Sequence, residues 1–265
     1  MHSRCVLLAL VFAAAPVAAA DKLKAEEVIA HHLDAVGTLE ARTAGRNLEG
    51  AVAMTAPASG GVAGSLNGRF RFDSESARFA LRMKFPSEGY PSEGISLEGG
   101  KPAIDFVLPG KRSGMGNFLS AHDVIVREGL LGGVLNAGWP LFGAAERGSK
   151  VGYDGLKSLG GRELHRLRYR AKKGQDELEV FLFFDPDSFR HVASVYKASQ
   201  AQSLGTTIES SSSKPDVYLQ IEETFEGFTK AKGLSLPTAW TIRYELQGNT
   251  TQYWKYELAV ETLEK

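Results

Sequence analysis

The stretch Leu66-Asn67-Gly68-Arg69-Phe70-Arg71-Phe72-Asp73, followed after three residues by Ala77-Arg78-Phe79-Ala80-Leu81-Arg82-Met83-Lys84-Phe85, decides the fold. In the first run Leu66, Phe70 and Phe72 alternate with Asn67, Arg69, Arg71 and Asp73; in the second Phe79, Leu81, Met83 and Phe85 alternate with Arg78, Arg82 and Lys84. A period of two places successive side chains on opposite faces of a strand, so the pair reads as a hairpin with one apolar and one charged face. The same signature returns near the C-terminus. Trp240, Ile242, Tyr244 and Leu246 oppose Thr241, Arg243, Glu245 and Gln247, while Trp254, Tyr256, Leu258 and Val260 oppose Lys255, Glu257 and Glu261, with a turn expected at Gly248-Asn249. Less regular strands are expected at 48–55, 95–98, 102–108, 162–171, 177–184, 191–197 and 217–225. Residues 177–184 are apolar on both faces near their end, which predicts a central, covered strand.

Two segments break this period. Ala25, Val28, Ile29, Leu33 and Val36 give residues 22–36 the spacing of an amphipathic helix, stopped by Gly37. Residues 118–146 carry Val124, Ile125, Leu130, Leu131, Val134, Leu135, Trp139, Leu141 and Phe142 without alternation, and read as one or two short helices. Gly129, Gly132 and Gly133 predict an adjustable segment there, and Pro140 interrupts it. Loops are expected at 56–64, 109–116 and 199–215. About ten strands with one charged face form an antiparallel sheet whose apolar side needs a cover. Two packed sheets satisfy this requirement, as does one curved sheet covered by helices.

Residues 1–20 read as a secretory signal. Arg4 supplies the positive start, Val6 to Ala15 the apolar run, and Ala18-Ala19-Ala20 the small residues before cleavage. The expected product is a soluble periplasmic or secreted single domain over residues 21–265. Ten apolar residues are half of what a spanning helix needs, and no later stretch is longer, so no transmembrane span is expected. Cys5, the only cysteine, precedes the apolar run and cannot be a lipoprotein's acylated cysteine; a mature chain without cysteine has no disulfide or thiolate chemistry. Losing Arg4 leaves 31 − 1 = 30 basic residues against 31 acidic ones, which offers no field for nucleic acid.

Motifs for catalysis or metal binding are not found. His31-His32 are helix neighbours about 100° apart and cannot chelate as an i, i+4 pair would; with His122, His165 and His191 they read as surface or capping residues. Asp185-Pro186-Asp187 reads as a turn rather than a calcium loop. Gly114-Met115-Gly116 lacks the third glycine of a dinucleotide motif and reads as a loop. Asn249-Thr250-Thr251 matches a glycosylation acceptor but falls at a hairpin turn. Glu222-Glu223 point to opposite faces of a strand, so they do not form a catalytic pair, and read as solvated. No G-x-S-x-G occurs. No cofactor is implied, and the expectation is a protein that is not an enzyme.

Several segments together resemble the LolA/LolB-like family of periplasmic lipoprotein carriers and receptors. Residues 25–37 look like its first helix; Tyr153-Asp154-Gly155-Leu156 with Gly160-Gly161-Arg162-Glu163-Leu164 is similar to its strand, turn, strand unit. Phe184-Asp185-Pro186-Asp187-Ser188-Phe189 and Gly233-Leu234-Ser235-Leu236-Pro237 look like two of its turns. The resemblance implies a mainly β (α+β) fold: a curved antiparallel sheet of about eleven strands forming an incomplete β-barrel, covered by the N-terminal helix and by the mid-chain block as a helical lid. It also implies an apolar cavity that accepts acyl chains. Under this reading Phe70, Phe72, Phe79, Leu81, Met83, Trp240, Trp254 and Tyr256 line the cavity from the sheet, with Leu131, Leu135 and Trp139 from the lid. The expected function is binding or carriage of a lipid, acyl chain or lipoprotein. The alternative is an envelope sensor or protein-interaction module, with an envelope protein as partner and a barrel packed solid.

Overall fold

The alternation is realised as one large antiparallel sheet. The computed structural model describes residues 23–56, 64–200, 217–246 and 250–260; the leader with Cys5, most of the loops expected at 56–64 and 199–215, and the Gly248-Asn249 turn lie outside them. In chain order the strands are β1 (Arg46–Ala56), β2 (Gly64–Glu75), β3 (Arg78–Lys84), β4 (Ser92–Glu98), β5 (Lys101–Ile104), β6 (Lys150–Leu159), β7 (Arg162–Arg170), β8 (Glu179–Phe184), β9 (His191–Gln200), β10 (Val217–Glu226), β11 (Thr229–Ala231), β12 (Leu234–Leu236), β13 (Ala239–Leu246) and β14 (Thr250–Leu258). Twelve of them pair in the order β5-β4-β3-β2-β1-β14-β13-β10-β9-β8-β7-β6, while β11 and β12 form a separate hairpin. The end strands β5 and β6 are not joined, so the sheet is an incomplete barrel. Both predicted hairpins are present, with Phe72 opposite Leu81 and Trp240 opposite Tyr256.

Register decides which face is buried. Leu48, Phe72, Leu81 and Ile95 form one row across β1 to β4, and Val52, Tyr256, Trp240 and Phe225 form another across β1, β14, β13 and β10. Both rows look into the concave side and are buried. The opposite face of β2 and β3 is charged and wet, carrying Arg71–Asp73 at 2.9 Å and Arg82–Asp73 at 4.0 Å. The covered strand is β8: Val180, Leu182 and Phe184 join the main core, while Phe181 and Phe183 join a smaller cluster with Leu164, Val192, Ala193 and Val195 on the outer face. The Arg166 guanidinium lies 4.6 Å from the Phe181 ring centre and helps cover that cluster.

Helix α1 (Ala25–Val36) buries Ala25, Val28, His32 and Val36 and ends at Gly37, whose φ of 144° a side chain rarely adopts. A Cβ there would stand 2.1 Å from the Gly233 carbonyl oxygen, so glycine is what allows Gly37 to bridge Leu234. A short helix α2 (Leu39–Thr43) follows, capped by Thr38.

Several expectations need correction. Strand β5 stops at Ile104; beyond it Asp105 N–H still bonds Gly94 O, and Leu108 bridges Lys111 instead of continuing a strand to residue 108. Gly114-Met115-Gly116 is not a loop but the first turn of α3 (Gly114–Ala121), because the Ser113 hydroxyl accepts the Gly116 N–H and caps it. The mid-chain block is more broken than one or two helices: α3, α4 (Val124–Arg127), 3-10 turns at Gly133–Leu135 and Pro140–Gly143, and α5 (Ala144–Arg147). Its glycines also have a packing role. Gly129, Gly132 and Gly133 have φ of +74°, +83° and +51°, and a Cβ on Gly133 would stand 2.6 Å from His191 Nδ1. They let the backbone bend sharply and approach its neighbours closely.

Candidate functional site

Residues 114–147 fill the concave side of the sheet as a plug. Of the eleven candidate lining residues, Phe70 and Phe79 are the most exposed at 3%, and all belong to one continuous core. Phe72, Phe79, Trp240, Phe225 and Tyr256 form a run of ring contacts, with Trp240 stacked on Tyr256 at 4.4 Å between centres. Leu131, Leu135 and Trp139 are the plug's contribution, and all three are wholly buried. The structure therefore brings the eleven together, but as packed core. Clefts among the described residues lie elsewhere, one of about 440 Å³ near Arg46, Asp73 and Leu97 and another of about 300 Å³ between the β2–β3 turn and the plug. Phe79 alone of the eleven lines either.

The plug is fastened by polar contacts at discrete points. The Arg46 guanidinium donates to the Val134 and Arg42 carbonyls. Ser74 donates to Asn136 Oδ1 at 2.9 Å and accepts the Ala137 N–H at 2.7 Å. Glu93, on β4, accepts from the Tyr90 and Ser113 hydroxyls and so holds the start of α3.

Glu223 is the most elaborate of these points. Its Oε1 accepts Gly132 N–H at 2.8 Å and Trp240 Nε1–H at 3.0 Å, and its Oε2 lies 2.7 Å from the Tyr196 hydroxyl, which is also 3.1 Å from Leu130 O. A hydroxyl has one proton and donates to one of those two oxygens. With the carboxyl protonated, its own proton bonds the tyrosine oxygen and the tyrosine proton goes to Leu130 O, so every group is paired. With the carboxyl ionised, the tyrosine proton turns to Oε2 and Leu130 O keeps only the Gly133 N–H. Burial lifts Glu223 from its ordinary 4.5 to about 7 against the pull of these donors, and lifts Glu93 equally far.

His32 lies on the buried face of α1. Its Nδ1 is 3.0 Å from Phe189 O, which can only accept, and its Nε2 is 3.3 Å from Trp139 Nε1–H, which can only donate. The ring is thereby fixed as the neutral Nδ1–H tautomer, and burial lowers its pKa to about 4. His191, 6.3 Å from His32 between ring centres, bonds Ser194 Oγ and packs on Trp139; burial holds it well below the ordinary range. These two histidines are not surface or capping residues, and His191 is not isolated. The solvated reading also fails for Glu223, because its strand face is the concave one; Glu222, on the other face, pairs with Arg243 at 2.8 Å. The Asp185-Pro186 turn is a turn: Asp185 Oδ1 accepts the Ser188 N–H and hydroxyl.

The polar atoms of the aromatic residues find partners inside the protein. Trp254 Nε1–H donates to Tyr90 at 3.2 Å and the Tyr256 hydroxyl to Met83 Sδ at 3.1 Å. The sequence reading does not single out Glu93 and places Glu223 and His32 at the surface, although a signal for burial exists. Glu223 shares parity with Ile221 and Phe225, Glu93 with Ile95 and Leu97, and His32 stands four residues from Val28 and Val36. A charged or polar residue on an apolar face is the informative exception. Among the described residues no group of three or more His, Cys, Asp or Glu is placed to hold a metal, and no helix is long and apolar enough to cross a membrane.

No family model and no curated protein matches the sequence. Among solved structures, the chain is similar to a LolA superfamily protein from Nitrosomonas europaea, with a TM-score of 0.48 and 10% identity over 89% of this chain and 93% of that one. It is also similar to a putative outer membrane lipoprotein-sorting protein domain from Vibrio parahaemolyticus (0.45, 8%, 91% and 100%) and to a DUF1329 family protein from Desulfovibrio piger (0.43, 9%, 89% and 91%).

Proposed function

We propose that the protein is an exported, non-enzymatic binding protein or carrier for a lipid or acyl chain, which occupies the concave face when the plug moves aside. The observation that carries this reading is the construction of the cover. A continuous apolar sheet face is closed by a segment of short helices and turns that adds no strand to the sheet and is fastened at separate polar points. Displacing it exposes a ready apolar surface to which an acyl chain binds through buried area. A second reading, a protein-interaction module with a solid core, is favoured by the complete burial of the candidate lining.

Native purification, organic extraction and mass spectrometry test the choice. Binding predicts a co-purifying or displaceable lipid, reduced in Trp139→Ala and in Trp254→Glu, where a buried unpaired carboxylate opposes an acyl chain; circular dichroism controls for folding. Absence of lipid, together with no binding of a fluorescent fatty acid at micromolar concentration, favours the interaction module.

A further inference from the structure

The cleft of about 300 Å³ beside the plug has an apolar floor and a cationic rim. Phe79 and Leu97, from the buried faces of β3 and β4, form the floor; Arg78, Arg127 and Arg147 stand on the rim with Glu75 as their only acidic neighbour in the lining. Glu75 is committed to Arg78 at 2.9 Å, and Arg127 bonds Asp123 at 2.8 Å. Arg147 differs. Its guanidinium donates to two carbonyls of the plug, Glu128 O at 3.2 Å and Gly138 O at 2.9 Å, and no ion pair among the described residues includes it. Carbonyl dipoles orient the group, and the Glu128 carboxylate is engaged by the Tyr169 hydroxyl at 2.7 Å, so one half-buried guanidinium stands at the edge of an apolar floor without a direct carboxylate partner among the described residues.

We infer that this cleft takes the anionic head group of a single-chain amphiphile, a carboxylate or a phosphate monoester, with Arg147 as its paired cation. The inference rests on the acyl-binding reading and adds the chemistry of the head group and the point of entry. A planar guanidinium with N–H groups beyond the two it commits suits either anion. The volume lies at the lower end of ligand pockets, enough for a head group and the first carbons of a chain that continues past Phe79 under the plug. Arg78 and Arg127 add a positive field at the mouth.

The test is displacement of the neutral probe N-phenyl-1-naphthylamine from the full chain at pH 8 by dodecanoate, dodecyl phosphate and dodecanol, each below its micellar concentration. The expected result is that at least one anion displaces the probe at roughly tenfold lower concentration than dodecanol. The preferred anion distinguishes a free fatty acid from a phosphate-headed lipid. Arg147→Gln brings the anion to near parity with dodecanol while leaving dodecanol unchanged, and Arg147→Lys recovers part of the preference. Because Arg147 also ties the plug, the double variant Arg78→Gln/Arg127→Gln serves as a second arm and is expected to weaken the preference without disturbing those carbonyl contacts. Equal displacement by all three compounds overturns the head-group assignment and leaves acyl binding standing, as does a preference that survives both variants. Binding of none of them overturns the acyl-binding reading and this inference with it.

Discussion

Replacing Glu223 with Gln removes a buried charge without removing a hydrogen-bonding partner. The amide oxygen accepts Gly132 N–H and Trp240 Nε1–H as Oε1 does now, and the amide nitrogen donates to the tyrosine oxygen while Tyr196 donates to Leu130 O. The variant therefore copies the uncharged state and the three bonds of the protonated carboxyl at every pH, and adds one amide N–H whose cost does not change with pH. Burial raises the wild-type carboxyl from 4.5 to about 7 in the folded protein, so the folded state holds its proton more tightly than the unfolded chain does. Stability is then lost as pH rises from about 4.5 to about 7 and stays lost above that. The loss has a ceiling of about 3 kcal/mol, at 1.36 kcal/mol for each tenfold change in proton affinity. Glu93 acts in the same direction, whereas His32 and His191, whose folded pKa values are depressed, lose stability as pH falls. The carboxyls and the imidazoles act in opposite senses in the wild type, which makes the difference between the two proteins the informative quantity. Urea denaturation from pH 4.5 to pH 8.5 is expected to show the stability of Glu223→Gln relative to wild type rising by up to about 3 kcal/mol from the acid to the alkaline end. A difference that does not change with pH, or that moves against the variant as pH rises, refutes the reasoning.

Other substitutions have equally definite outcomes. His32→Gln keeps a donor for Phe189 O and an acceptor for Trp139 but cannot take up a proton, so it removes a loss of about 3 kcal/mol that His32 contributes in the wild type as pH falls from 6.5 to about 4, read as the difference in unfolding free energy between the two proteins. Gly133→Ala, at φ +51° and 2.6 Å from His191 Nδ1, is expected to cost about 3 kcal/mol by chemical denaturation. Trp139→Ala empties a wholly buried site and is expected to cost about 3–5 kcal/mol, seen as a lower urea midpoint.

How much of this was legible in the sequence follows from the range of each signal. Strand parity is local: Phe70 with Phe72 and Phe79 with Leu81 and Met83 announce a buried face within a few residues, and the hairpins β2–β3 and β13–β14 follow. The pairing of β1 with β14 joins segments about 200 residues apart and leaves no local trace. The plug was visible as an apolar, aperiodic block, but its conformation depends on contacts with Glu223, Ser74 and Arg46 that lie far away in sequence. Gly133 shows the limit most clearly. In sequence it is a helix breaker and suggests looseness; in the fold it is the one residue small enough to sit against His191 and Phe225.

The buried carboxyls and the arginine rim carry different experimental weight for function. Trp240, Trp254 and Tyr256 serve the closed protein as core, so a substitution that abolishes lipid binding there also removes stabilising contacts, and the two effects share one cause. Arg78 and Arg127 are free of that coupling. Their partners Glu75 and Asp123 are surface carboxylates, and exposed ion pairs contribute about 1 kcal/mol or less, so their loss leaves the fold in place. Glu223→Gln complements them from the other direction: it strengthens the closed plug instead of weakening the core. If an acyl chain needs the plug to move, that variant binds dodecanoate more weakly than wild type at pH 8 while being more stable, because a strengthened closed state opposes entry. If the chain binds without plug movement, affinity is unchanged while stability still rises.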